Sequence, residues 1–375
     1  MMCSNVNISV RRQQGFSLVE LMIAVLLGFI IVAGLIQVLL ANRKAYQIQQ
    51  GNSYLQQNLR YATDRIGWSV RLADFWGGVS VQDVQGLLGN GSGASGCNAA
   101  WILAGKVGAG GGGIYGYDGA SSFPVSGCVP DSDYVPGTDV LVVRYADTDS
   151  CDVDAGATSL TINTCKPESA YYLAAAVGQQ ASLFAASDEV PIFAGSTTRY
   201  VYPYRVEMYY LQPCSDRGAS DACTASSDNG VPKPTLMRMH LDATGKMIRE
   251  PLVDGIEQLQ FEYKVVTKDV TGNVIASKYS PATHLAASDW QNVYAVKIVM
   301  VSRNSERDQA VSYAGDFKLT DTCSYNISNS GAFLLTNIGD DCTGFSLSAL
   351  DGPNHYVRRL QQQIVQIRNR IHVPG

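Results

Sequence analysis

The chain has 375 residues, of which 46% are hydrophobic and 16% charged, and its formal net charge is −5. This length allows one large hydrophobic core or two modest ones beside a membrane-spanning helix. Nucleic-acid binding usually needs a basic face, so the acidic balance argues against that class of partner.

The first predicted element is a membrane span. Residues 21–41 carry no charge and one amide, Gln37, and about 20 apolar residues cross a bilayer as a helix. A secretory signal would have a shorter apolar core and a small-residue cleavage site, and neither is clear here. Glu20 stands at the front edge of this span. A carboxylate there is costly unless it finds a partner, so Glu20 is a functional candidate.

A cut between Gly15 and Phe16 would explain this carboxylate. It would create a new amine four residues before Glu20. In a helical stack, the amine of one subunit would meet the carboxylate of its neighbour in apolar surroundings. The charge would then be paired only in an assembly, so the sequence predicts that the protein polymerises or joins a polymer.

The helix is predicted to continue beyond the membrane. Apolar residues recur on one helical face, with steps of 7, 4, 3, 4 and 4, at Ile48, Leu55, Leu59, Ala62, Ile66 and Val70. A helix over residues 16–73 would be roughly 85 Å long at 1.5 Å per residue. We expect its first half to lie in lipid or a filament core, and its second half to pack against a globular head.

The remainder is predicted to be rich in β-structure. Strands are predicted at residues 138–146, 199–211, 234–242, 256–266 and 292–303, the last of them central in its sheet. Pro203 argues that its strand is at an edge or has a bulge. The tail from His355 fits either a helix or a final strand. Residues 77–137 and 304–354 are predicted to be loop insertions.

The cysteines predict disulfide bonds. Cys3 precedes the span, and eight follow it: Cys97, Cys128, Cys151, Cys165, Cys214, Cys223, Cys323 and Cys342. An even number on one side of a membrane indicates an oxidising compartment, which places the bulk of the chain outside the cytoplasm. Proximity suggests that each cysteine pairs with its neighbour in that order. Buried free thiols remain the alternative, and eight cysteines allow 105 pairings.

Three other motifs carry weaker signals. The GxGxxG pattern at Gly108, Gly110 and Gly113 is not followed by a helical sequence, so a loop is expected rather than a dinucleotide site. The acidic segment 147–154 misses the EF-hand spacing, so a solvated turn is favoured and calcium binding stays open. The arginines in residues 358–370 are expected on a solvated face. There is no CxxC motif, and no metal, cofactor or catalytic set is predicted.

The N-terminal stretch GFSLVELMIAVLLGFIIVAGL resembles the prepilin signal of type IV pilins and type II secretion pseudopilins. In that family a prepilin peptidase cuts after the residue matching Gly15 and methylates the residue matching Phe16, giving N-methylphenylalanine. The carboxylate matching Glu20 serves assembly. Many major pilins have a proline where this chain has Gln37.

This resemblance implies a fold and a division of the chain. The fold is α+β and type IV pilin-like: a long N-terminal helix packs on an antiparallel β-sheet head with long disulfide-bearing loop insertions. Residues 1–15 are the cleaved leader, 16–41 the transmembrane or filament-core part of the helix, and 42–73 its amphipathic part. Residues 74–375 form the periplasmic head.

The segment REPLVDGIEQLQFEYKV and the tail YVRRLQQQIVQIRNR resemble PilW-type minor pilins. That resemblance implies an initiation and tip complex that primes pilus assembly. Expected partners are other minor pilins, the major pilin, the prepilin peptidase, the inner-membrane assembly platform and membrane lipid. The chain would be a single-pass inner-membrane protein that then enters the pilus at the cell surface. The alternatives are a J-type minor pseudopilin of a type II secretion system and, more remotely, a membrane-anchored periplasmic enzyme.

Overall fold

A computed structural model describes residues 15, 17–88, 96–105, 112–151, 168–194, 200–218, 222–224, 226–271, 273–304, 307, 312–321, 323–328, 333–337, 346–347 and 353–370. The chain divides into two compact units, Met1–Asn52 and Ser53–Gly375. From here on, the head means this second unit, which includes the last part of the long helix as well as residues 74–375.

One long helix, α1 (Leu18–Leu72), has 55 residues and belongs to both units. Its bounds confirm the helix predicted over residues 16–73. In the first unit its side chains are exposed along residues 18–50, apart from the half-buried Gly28. In the head, the predicted apolar stripe is buried from Leu55 to Val70. Ile48, which the sequence placed first in that stripe, is exposed.

The largest sheet, sheet I, has eight strands. They are β1 (Val84–Gln85), β2 (Ile114–Tyr117), β3 (Val140–Ala146), β4 (Tyr171–Ala176), β5 (Gln180–Ala185), β6 (Tyr200–Gln212), β7 (Thr235–Leu241) and β8 (Met247–Asp254). Their order is β1-β5-β4-β6-β3-β2, and β7 joins β6 to β8. Of the described strands of this sheet, β1 and β5 alone pair in parallel. The short helices α2 (Ala99–Ile102) and α3 (Ser227–Gly230) are single turns.

Pro203 lies in the middle of sheet I, so the expectation of an edge or a bulge is wrong. It is opposite Tyr172 of β4, and its carbonyl accepts a hydrogen bond from the amide of Asp147 at 2.8 Å. The N–H and C=O of a strand residue point to the same side. The donor that proline lacks therefore faces the position just past Ala146, where β3 ends. The central strand β6 tolerates the proline because its pairing with β3 ends at the preceding pair, Ala146 and Tyr204.

Two antiparallel sheets follow in the chain. Sheet II has the order β10-β9-β11-β16, formed by β9 (Ile256–Lys268), β10 (Val274–Ser280), β11 (Val293–Arg303) and β16 (Arg358–Gln366). Its strand β11 is central, as predicted, and the ambiguous tail is a strand. Sheet III is formed in chain order by β12 (Gly315–Lys318), β13 (Cys323–Ile327), β14 (Phe333–Asn337) and β15 (Ser346–Leu347).

The main core lies where α1 meets sheets I and II. Ile66 of α1 belongs to it together with Leu141 of β3 and Phe261 of β9. A second core holds the alternate residues of β3, with Trp101 and Tyr134. These two side chains come from residues 77–137. That region was predicted to be loop, and its described part adds short elements and buried side chains to the head. The α+β class is confirmed: a long N-terminal helix with a largely antiparallel head.

Candidate functional site

Glu20, the predicted assembly residue, is exposed near the start of the long helix. Gly15 is exposed, and Phe16 lies outside the described residues. Glu20 is in the first turn of α1, is exposed, and has no ion-pair partner among the described residues. An acidic residue at this end of a helix also interacts favourably with the helix dipole. Glu20 is therefore available to a group from outside the chain.

The apolar side chains on both sides of Glu20 in the sequence are uncovered. Leu18, Met22, Phe29 and Leu35 are each more than half exposed. Among the described residues, one helix, α1, is long enough and apolar enough to cross a membrane. Such a surface needs lipid or other helices around it, because apolar area in water is costly.

In the head, the start of α1 is bonded to a tight junction between β8 and β9. The hydroxyl of Tyr54 donates to Asp254, and the amide of Asn58 donates to the Asp254 carbonyl at 3.0 Å. Burial and the adjacent Asp254 carboxylate raise the pKa of Tyr54, so this hydroxyl keeps its proton and remains a donor. The junction is the DGIE element that the sequence analysis singled out.

Gly255 makes this junction possible. Its φ is +78°, and a Cβ there would lie 2.7 Å from the carbonyl oxygen of Arg303. The Arg303 amide in turn donates to the Gly255 carbonyl at 2.7 Å. The position therefore requires glycine for two reasons, a left-handed backbone and a close approach of another strand.

The next two residues fix sheet II from inside. Ile256 is fully buried in the main core. Glu257 pairs with Arg303 at 2.8 Å and with Arg358 at 2.6 Å, and all three side chains are at least 95% buried. The arginines come from β11 and β16, so one carboxylate joins three strands. A buried carboxylate needs such partners to offset its loss of hydration.

The far end of α1 is capped by the chain's own tail. The Asn369 side-chain amide donates to the carbonyls of Leu72 and Ala73 at 3.3 and 3.0 Å. Arg370 pairs with Asp74 at 2.6 Å. Helix ends leave carbonyls without partners, and these side chains supply them.

Two family models match parts of the chain. The model of the type IV pilus-assembly protein W family matches residues 222–369, and that of the prokaryotic N-terminal methylation motif matches residues 10–36. The chain is PilW-like and has a prepilin-type N-terminus. No curated protein and no solved structure matched it. Both families describe pilin-type structural proteins rather than enzymes. The motif and the apolar helix indicate a membrane-anchored pilin with a periplasmic domain.

The PilW-like region, residues 222–369, holds strands β7 to β16. It therefore contains both groups that bind the ends of α1 in the head, the DGIE junction and Asn369. Strands β1 to β6 precede it. The two parts meet at β6 and β7, which pair from Glu207 to Gln212. Glu207 also receives hydrogen bonds from Arg65 and Ser69 of α1. This carboxylate thus fixes the last two turns of α1 to sheet I, a role that sequence reasoning missed.

The structure corrects the reading of the tail arginines. Arg358 and Arg370 are largely buried in ion pairs, whereas a solvated face was expected. Arg359 and Arg368 are exposed, as expected.

Two of the four neighbouring cysteine pairs are disulfides within the described residues. They are Cys97–Cys128 and Cys214–Cys223, with Cα atoms 5.0 and 5.6 Å apart. Cys151 and Cys323 are also disulfide-bonded. Cys3, Cys165 and Cys342 lie outside the described residues.

The weaker motifs provide no site in the described part of the head. Gly113 leads into strand β2 rather than a helix, and Gly108 and Gly110 lie outside the described residues. Asp147 of the acidic segment pairs with Arg205 at 3.0 Å. Asp152 and Asp154 are not among the described residues. No cluster of three or more His, Cys, Asp or Glu side chains suited to a metal occurs among the described residues.

Proposed function

We propose that this PilW-like chain is a minor pilin that joins other minor pilins in an inner-membrane initiation complex. The complex primes type IV pilus assembly, and the subunit stays at the filament tip. The observation that carries the proposal is Glu20: an exposed carboxylate without an ion-pair partner among the described residues, at the start of a helix whose apolar side chains are exposed along residues 18–40. An isolated subunit leaves both features unsatisfied, and an assembly satisfies both.

Processing is the first step of the proposed route. Prepilin peptidase cuts after Gly15 and methylates Phe16. The leader takes Arg11 and Arg12 with it and no acidic residue, so the formal net charge of −5 becomes −7. The new amine then pairs with Glu20 of a neighbouring pilin, minor or major, in a setting of low dielectric where an unpaired charge is costly. Membrane lipid and the assembly platform hold the subunit until it enters the filament.

A second surface supports lateral packing in the same assembly. On α1 in the head, Gln57, Tyr61, Asp64 and Trp68 are exposed at spacings of 4, 3 and 4 residues, which is one face of a helix. Tyr61 and Trp68 are 53% and 55% exposed. Tyrosine and tryptophan are the residues most enriched at the energetic centres of interfaces. This face, opposite the packed stripe, is where a neighbouring subunit would lie.

Deleting the gene tests the proposed function. We expect fewer sheared surface filaments while the major pilin accumulates in the membrane, and normal release of exoproteins. A secretion pseudopilin would leave pili intact and strand exoproteins in the periplasm. Normal piliation with blocked secretion would therefore replace the pilus assignment with the pseudopilin one, and normal results in both assays would contradict any assembly role.

Two point variants separate the steps. Glu20→Ala should still insert, fold and be cleaved, because Glu20 is exposed and has no ion-pair partner among the described residues. It should fail to enter filaments. Gly15→Arg should fail earlier and keep its leader in the membrane. Glu20→Ala that entered filaments at the wild-type level would contradict the role given to this carboxylate.

A further inference from the structure

Two carboxylates, Asp118 and Asp139, lie at the seam between sheets I and II. Asp118 directly follows β2, and Asp139 directly precedes β3. The seam joins β2 and β3, which precede the PilW-like region, to β9 and the turn after β10, which belong to it. The contacts of these two side chains therefore affect how the two parts of the head are held together.

Asp139 takes the place of a neighbouring strand residue beside β9. Its amide donates to the Leu259 carbonyl at 2.9 Å, and its carboxylate accepts from the Phe261 amide at 2.7 Å. The other carboxylate oxygen accepts from the Gly119 amide at 2.9 Å. The residue thus joins β9 to the segment that follows β2.

Asp118 makes a second connection across the same seam. Its carboxylate accepts from the amides of Ala282 and Thr283 at 2.8 and 2.6 Å, and from the Thr283 hydroxyl at 2.6 Å. Residues 282–284 form one turn of 3-10 helix after β10. The end of β2 is therefore fixed to this turn.

The lack of an arginine partner sets Asp139 apart from the other deeply buried carboxylates. Among the described residues, four carboxylates are at least 95% buried, and three of these each pair with two arginines: Asp133, Glu207 and Glu257. Asp139, which is 2% exposed, accepts from backbone amides, and the described part of the chain gives it no ion-pair partner. A buried carboxylate without a cation is costly when ionised, so it gains from taking up a proton.

The two carboxylates also act on each other. Burial raises the pKa of Asp139 well above its ordinary value, the neighbouring Asp118 raises it further, and the backbone donors offset only part of this. Burial likewise raises the pKa of Asp118, against its own hydrogen bonds and against His284. The titratable groups that face the pair from the neighbouring elements are Tyr134, Glu262, Tyr263 and His284. Of these groups, the histidine alone can carry a positive charge.

The direction of the pH effect follows from the raised pKa values. A carboxyl group whose pKa is higher in the fold than in the open chain gives its full stabilisation below its ordinary pKa of about 4. As pH rises from there through the raised pKa, that stabilisation is lost. The equilibrium between closed and open seam changes by up to about tenfold per pH unit for each proton released. The seam is therefore closed most firmly in acid.

We propose that Asp118 and Asp139 form a proton-controlled latch: a proton bound by the pair fastens β2 and β3 to β9 and to the turn after β10, and loss of the proton loosens this seam. The head belongs to a periplasmic domain, so the latch responds to the pH outside the cytoplasm. The inference does not rest on the pilus assignment, because it needs only the head.

Hydrogen exchange of the full chain in detergent, measured by mass spectrometry between about pH 4 and pH 8, tests the latch. Dividing each rate by the intrinsic exchange rate at that pH gives the opening equilibrium. For peptides that contain the Phe261 and Thr283 amides, we expect this equilibrium to shift towards the open seam by at least about tenfold over the range, since one unit of pKa shift corresponds to a tenfold change.

Near-isosteric variants assign the effect to the carboxylates. Asp139→Asn should flatten the pH profile at Phe261, because the group that titrates is gone. Asp118→Asn should reduce the rise at Phe261, because Asp139 then no longer faces a second negative charge. His284→Gln should keep the rise, because both carboxylates remain.

Two controls come from the disulfide loop. Burial raises the pKa of Asp228, but its hydrogen bonds lower it overall, so this loop should lose protection as pH falls, opposite to the seam. The Cys214–Cys223 disulfide, read by non-reducing peptide mapping, checks that each variant has folded. Where Asp139→Asn fails this check, the wild-type profile and Asp118→Asn decide.

A flat profile at Phe261 in the wild-type chain would overturn the proposal. So would a rise that persists in the double variant Asp118→Asn/Asp139→Asn. A rise that disappears in His284→Gln would overturn it as well, because the histidine rather than the carboxylates would then be the sensor.

Discussion

Replacing Glu257 by glutamine should destabilise the head more than any other isosteric change on β9. The substitution keeps the shape of the side chain and removes its charge. Arg303 and Arg358 are then left with two buried positive charges and no carboxylate between them. Hydrogen bonds to the Pro232 and Tyr356 carbonyls remain, but these are neutral acceptors.

The magnitude follows from burial. Removing one partner of a buried ion pair typically costs about 3–5 kcal/mol, because the other charge stays desolvated. Glu262 provides a matched control on the same strand, with its own partner, Lys297, at 2.6 Å. That pair is partly exposed, so Glu262→Gln should cost about 1 kcal/mol or less. Both variants change the net charge equally.

Urea unfolding of the full chain in detergent measures the difference. The buried Trp76, Trp101 and Trp290 report the transition by fluorescence. With a slope of about 3 kcal/mol per molar urea, Glu257→Gln should lower the midpoint by roughly 1–1.7 M and Glu262→Gln by about 0.3 M or less. Equal shifts for the two variants would refute the reasoning, since burial would then not determine the cost.

Three further predictions concern turns and loops. Gly255→Ala should lower the free energy of unfolding by more than about 2 kcal/mol. Gly245 also has a left-handed backbone, but a Cβ there would meet no close neighbour, so Gly245→Ala should cost about 1–2 kcal/mol; thermal melts compare the two variants. Losing the Cys214–Cys223 bond, with its sequence separation of 9, should cost about 2.6 kcal/mol in the chain-entropy view, measured with the double alanine variant. Partial burial alone would raise the pKa of Asp228, but hydrogen bonds from its own loop lower it overall. The ionised Asp228 should therefore stabilise this loop above about pH 4, and the stabilisation should be lost as pH falls through the lowered pKa. Faster hydrogen exchange in the loop measures the loss, and Asp228→Asn should abolish this pH dependence.

Much of the fold was predictable because its signals are local. The stripe from Leu55 to Val70 has helical period, and the alternation of Leu259, Phe261 and Tyr263 has strand period. Both patterns reflect burial on one face, which sequence displays directly. The extent of α1 in the head and the strand β9 followed from them.

The remainder depends on contacts between distant residues. Arg358 was expected in solvent because its partner Glu257 lies 101 residues away. Strand β6 can contain Pro203 only because the neighbouring strand β3 ends beside it, and the sequence around Pro203 does not show where β3 ends. One local signal was overlooked: two hairpin turns share the sequence D-x-T-G, starting at Asp242 and Asp269. In each, the aspartate accepts bonds from amides two and four residues on.

The processing signal was recognisable because it is short and contiguous, at Gly15, Phe16 and Glu20. The attachment of α1 to the DGIE junction was predicted only in part. DGIE was noted as a motif, but its bonds to Tyr54 and Asn58 span about 200 residues of sequence. Long-range polar contacts of this kind leave no periodic pattern, so they emerge only from the folded chain.

Targeted mass spectrometry of sheared filaments tests the central claim most directly. The account predicts that filaments contain this chain, that its N-terminal peptide begins at N-methylated Phe16, and that the Glu20→Ala variant is missing from filaments although it is cleaved and present in the membrane. The account would be contradicted if piliated cells kept the chain entirely in the membrane with residues 1–15 still attached.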